Sequence, residues 1–178
     1  MTTKTITVGE AVRSLNFLAT NFMETKELDK EALEISSRAI SKNLLIRDYF
    51  IGMPNDFGLT FMISLSKEMI DEVEKLGLHP VNFYAVYSAF LYESGDKELC
   101  TYNIKKALEI DSRHSLTQLL FRVYKSEWET SGFLDIRNNL HSKVILDTKK
   151  HAKRRNLKTK EKPRQKWRGF FFSSPSKK

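Results

Sequence analysis

This chain predicts an all-α fold of six or seven helices across residues 7–147. Three observations carry that expectation. Apolar residues recur at three- and four-residue spacing through most of the first 147 positions, and runs that alternate like a half-buried strand are scarce. Residues able to cap helices stand just ahead of those periodic stretches, and glycines or prolines stand just past them. The charge is split, with 13 Lys/Arg and one acid in residues 149–178 against 17 basic and 21 acidic residues before them.

The first helix is expected over about 8–23. Thr7 and Glu10 have capping-box spacing, and Val8, Ala11, Val12, Leu15, Leu18, Ala19 and Phe22 follow at helical intervals. Asp29 can cap a second helix whose apolar face runs from Leu33 through Ile40 and Leu44 to Ile51, closed by Gly52, Pro54 and Asn55. The third is expected from Phe57 to Leu76, with Gly77 as the left-handed residue that ends it. Pro80 opens a fourth helix reaching about Glu93, because a first-turn residue needs no N–H donor. Gly95 turns the chain, and Asp96 caps a fifth helix ending near Asp111. Ser115 and Gln118 have the spacing of a second capping box at the head of a sixth. A last amphipathic segment runs from Phe133 to Leu146.

Residues 1–148 therefore read as one helical domain, long enough to bury an independent core. Residues 149–178 read as a disordered Lys/Arg-rich tail, since few apolar groups are present to offset the entropy of ordering. Cys100 is the only cysteine, so no intrachain disulfide is possible. One cysteine in a Lys-rich chain suits a reducing compartment, and the expected location is cytoplasmic. The first 15 residues lack the apolar run of a signal peptide, and no window resembles a transmembrane span.

Asp96 to Asp111, DKELCTYNIKKALEID, resembles the turn and second helix of a tetratricopeptide repeat. Gly95-Asp96 stands at its turn, and Cys100, Ile104 and Ala107 stand where the second helix places small, bulky and small residues. Tyr84, Tyr87, Ser88 and Leu91 stand where the first helix packs. The small residues would let two helices approach closely. The next 34 residues do not repeat the pattern, so the resemblance is to a single hairpin.

A second resemblance spans about residues 44–125. Arg47-Asp48, an intervening helix, the proline-opened helix and SGDKELCTYNIKKALEIDSRHSLTQLL look like the C-terminal part of an actinobacterial family of unknown function. Ser112 stands where that family usually has proline, and members carry an N-terminal half not found here. The resemblance implies a bacterial lineage and a helical fold, and no reaction.

No motif for catalysis stands out. Cys100 lies on the apolar side of its helix with no adjacent cation, which suits a packing role. His79, His114, His141 and His151 have no metal-ligand spacing. The acids at Glu68, Asp71, Glu72 and Glu74 alternate with lysines, as solvated faces do. Neither a cofactor nor an enzymatic role is expected. Arg47 and Asp48 stand beside an apolar helix face, where a structural ion pair is the simpler reading and an interaction hot spot the sharper one.

The tail holds the strongest functional signal. Its basic run is followed by Trp167 and Phe170 to Phe172. Lysines and arginines that meet phosphates release counterions, and aromatic rings stack on unpaired bases. Lys153, Arg154, Arg155, Arg164, Lys166 and Arg168 are the expected phosphate contacts, and Trp167 the stacking residue. RNA or DNA is placed first as partner, a merely solubilising tail second, and an anionic membrane surface third. The expected whole is a non-enzymatic adaptor whose body binds an unknown protein, with room for a homo-oligomer.

Overall fold

A computed structural model describes the backbone of residues 5–160 and the side chains of residues 5–151. Among the described residues the fold is entirely helical: α1 (Val8–Thr25), α2 (Lys30–Lys42), α3 (Leu44–Gly52), α4 (Pro54–Phe57), α5 (Leu59–Lys75), α6 (Val81–Ser94), α7 (Lys97–Ile110), α8 (Ser115–Lys125) and α9 (Thr130–Lys160).

Local chemistry sets most helix ends where expected. Thr7 accepts from the Glu10 N–H while Glu10 accepts from the Thr7 N–H, at 3.0 and 2.9 Å. Asp29 accepts from Ala32 and Asp96 from Leu99, at 2.8 and 3.0 Å, each satisfying a donor with no partner inside its helix. At the end of α5, Gly77 takes φ +64° and the Leu78 N–H reaches back to the Val73 carbonyl. At the end of α6, Gly95 takes φ +83° and the Asp96 N–H reaches the Leu91 carbonyl in the same way.

Four expectations are corrected. The single helix expected from Asp29 to Ile51 is two. Asn43 leaves the helix at φ −138°, ψ 109°, and its side chain accepts from the Leu45 N–H to start α3. Phe57 belongs to the short α4, because Gly58 at φ +85° separates it from α5. The second capping box is not made: His114 is the residue before α8, and Gln118 instead donates to the Ser112 carbonyl. The segment expected over 133–146 is part of a longer helix, from Thr130 to Lys160. Extending a helix already held by packing costs far less than starting one. Lys, Arg, Ala and Leu are good helix formers, and cations suit a helix C-terminus.

The core gathers Leu15, Leu18, Leu33, Phe50, Met62, Leu65, Met69, Phe83 and Phe90, all with 1% exposure or less. Phe50 of α3 lies edge-on to Phe90 and tilted against Phe83, both of α6. Small buried side chains allow close helix approach. Ser14 of α1 donates to the Ala32 carbonyl of α2 at 2.7 Å, and the Ser36 hydroxyl reaches Ser14 at 3.1 Å. Ser88 on α6 with Cys100 and Ala107 on α7 are fully buried, and the Cys100 thiol donates to the Ser88 carbonyl at 3.3 Å. α9 closes the bundle by packing on α3, α1 and α6.

Candidate functional site

The expected site residues divide at Lys160. Lys153, Arg154 and Arg155 stand on the helical backbone of α9. Arg164, Lys166, Trp167 and Arg168, with Phe170 to Phe172, lie outside the described residues. From Lys149 to Lys160 the helix carries seven Lys/Arg and no acid.

The upstream part of α9 anchors this basic stretch. Its buried residues are Arg137, His141, Val144 and Thr148, four positions along one helical face, of which three are polar. Arg137 is the centre of the anchorage. Its Nη1 donates to Asn55 Oδ1 at 2.7 Å and its Nη2 to Glu93 Oε1 at 2.8 Å. Its Nε lies 2.7 Å from Glu93 Oε2, close but off the hydrogen-bond axis. The two side chains are 5% and 8% exposed, so this ion pair is withdrawn from water and ties α9 to α6. One turn on, the Nδ1 edge of the His141 ring lies against Gly52 of α3, and a methyl group at 52 would overlap that ring. Asp56 Oδ2 is 3.5 Å from His141 Nε2, and neither ring nitrogen has a hydrogen-bond partner among the described residues. Ahead of α9, the Tyr92 hydroxyl donates to the Trp128 carbonyl and the Tyr92 ring meets Phe133 edge-on, fixing the angle at which α9 begins.

Apolar spacing marks none of these polar groups as an anchor. A polar residue at a core position reads as surface when apolar spacing is the guide. The available signal was spacing: Arg137, His141 and Thr148 share one face with Val144.

A second polar cluster has Arg47 and Asp48 of α3 near His114, which ties Asn82 of α6 to the start of α8. Both Nε and Nη2 of Arg47 donate to Asp48 Oδ1, at 3.0 and 2.8 Å, so these neighbours form the structural ion pair expected of them. His114 Nε2 faces Asn82 Oδ1 at 3.0 Å and Nδ1 faces Thr117 Oγ1 at 2.7 Å. A neutral ring donating to Asn82 and accepting from Thr117 satisfies all three groups. Burial, then the nearby Arg47 charge, lowers the His114 pKa, with His79 adding a little and Asp111 opposing.

Chemistry elsewhere is muted. Cys100 is fully buried, and burial followed by the charge of Asp96 pushes its thiol up to about 12. A protonated thiol is a poor nucleophile. Among the described residues no three His, Cys, Asp or Glu converge as a metal site. A cleft of roughly 460 Å³ lies between the start of α1 and the α2–α3 junction, lined in part by Ile6, Val8, Arg38, Lys42 and Ile46. It gathers no set of titratable groups that could act together. No helix among the described residues is long and apolar enough to cross a membrane.

Comparison of the chain with protein-family models, with curated proteins and with solved structures finds no match in any of the three.

Proposed function

We propose that this chain is a non-enzymatic helical adaptor whose body engages a protein partner and whose basic C-terminal segment adds affinity for nucleic acid. One observation carries the reading. α9 is seated in the body through Thr148 and then continues to Lys160 with seven cations and no anion. A mildly acidic body thus continues into a basic helix, a charge distribution suited to neutralising phosphates.

The body supplies surface for a partner. α6 and α7 form a closely packed hairpin of the tetratricopeptide kind, and Leu99, Tyr102, Ile110, Leu119 and Phe121 on α7 and α8 are exposed. An apolar surface of this sort suits a partner helix or a second copy of the chain. The likeness to the actinobacterial family is retained as a proposed lineage.

Substitution of Lys153, Arg154, Arg155, Arg164, Lys166 and Arg168 by alanine in the full-length protein tests the arm. Six lost phosphate contacts should weaken binding to short DNA or RNA by more than a hundredfold at physiological salt and flatten its salt dependence. Unchanged affinity would remove the arm from the proposal.

A further inference from the structure

We propose that the cleft between the start of α1 and the α2–α3 junction binds one small amphipathic anion, an unbranched aliphatic carboxylate of medium length. Its head would lie at Lys42 and Asn43, and its chain on Val8, Ala39 and Ile46. The inference is independent of the nucleic-acid reading and gives the body a ligand of its own.

The break between α2 and α3 makes the space. Asn43 leaves the helix at φ −138°, ψ 109°, and residues on either side of it face the first turn of α1 around a cleft of about 460 Å³. That volume falls within the range of small-molecule pockets, about 300–1,000 Å³. Ala11, Ala39 and Ile46 are buried and make its floor, and half-buried Ile6 and Val8 rise beside them. The two alanines leave unfilled what larger side chains would occupy. A methylene takes roughly the room of a water molecule, about 30 Å³, so a chain of about ten carbons needs on the order of 300 Å³. No Phe, Tyr or Trp lines the cleft, so it offers a flat ring nothing to stack on and suits an aliphatic chain.

The charges select the head. No carboxylate lines the cleft, although residues 1–148 hold more acids than bases. The nearest acids, Glu10, Glu31 and Glu34, line a neighbouring recess that shares only Ile6 and Arg38 with the cleft. Arg38 is committed to that side, its Nε and Nη2 lying 2.9 and 2.8 Å from Glu34 Oε1. One turn further along α2, Lys42 lines the cleft and has no ion pair or hydrogen bond among the described residues. Asn43 Oδ1 accepts from the Leu45 N–H, which leaves the amide NH₂ of Asn43 free to donate. An uncommitted ammonium and an amide donor, side by side above an apolar floor, match a single carboxylate with a hydrocarbon tail.

The test titrates full-length protein with decanoate by calorimetry, with octanoate and decan-1-ol as comparators, and follows backbone amide signals by NMR. Decanoate should bind one-to-one and shift the amides of Ala11, Ala39 and Ile46. Octanoate, with two fewer methylenes to bury, should bind about tenfold more weakly. Lys42→Gln should weaken decanoate about three- to fivefold, the worth of one partly exposed ion pair. Val8→Asp places a carboxylate in the cleft at a position where a helix start tolerates an acid, and it should weaken decanoate more than tenfold. Lys105→Gln on α7 should change nothing. Alanine at Lys153, Arg154, Arg155, Arg164, Lys166 and Arg168 should also leave decanoate binding unchanged. Lys42 is exposed, so its variant decides the question even if Val8→Asp misfolds. Unchanged affinity in Lys42→Gln, equal binding of decan-1-ol, no saturable binding by about 1 mM, or loss of binding in the six-alanine variant would overturn the inference. None of these outcomes bears on binding of DNA or RNA.

Discussion

Gly52 is a glycine for reasons of space. Its backbone lies against the ring of His141, and a methyl group there would overlap a side chain only 4% exposed. Overpacking of this kind costs about 1–3 kcal/mol. Gly52→Ala should therefore lower the urea midpoint clearly, and adding His141→Ala should return part of the loss. Two independent costs that merely add would show that the contact is not the cause. His114 sets a different dependence. Its pKa in the folded chain lies below the 6.5 of a free ring. Between those values the unfolded chain binds more protons, so acid favours unfolding. The stability that His114 contributes is whole above about 6.5 and is lost as pH falls toward the folded value. Unfolding by urea at pH 7.5 and 5.5 should show a smaller difference for His114→Gln than for wild type.

At the scale of elements, α9 is seated by polar groups where a core helix ordinarily uses apolar ones. Removing one member of a buried ion pair leaves the other uncompensated and costs about 3–5 kcal/mol, whereas replacing both with apolar residues is often neutral. Arg137→Met alone should destabilise strongly. Arg137→Met with Glu93→Met should recover most of the loss, as read from chemical denaturation of all four proteins in the cycle. The same elements show what the sequence made legible. The ends of α1, α6 and α7 depend on Thr7, Gly95 and Asp96, whose geometry is local, and they were readable. The break at Asn43 was not, because the apolar spacing of Leu33, Ile40, Leu44 and Ile51 continues in phase across it. Nor was the seat of α9, because Arg137 bonds to Asn55 and Glu93, which are 82 and 44 residues away. Only folding brings such partners together.

For the whole molecule, composition foretold the acidic body and the basic end but not how they join. Residues 149–160, read alone, have too little apolar surface to order themselves. Attached to a helix already fixed by Glu93, Gly52 and Asp56, their backbone continues as helix to Lys160. The hairpin of α6 and α7 adds one more property. The chain has a single thiol, enclosed between those helices and kept protonated. A thiol reagent can reach it only during moments when α6 and α7 separate. The labelling rate of the unaltered protein is therefore a clock for the breathing of its own centre, with no second cysteine to blur the reading.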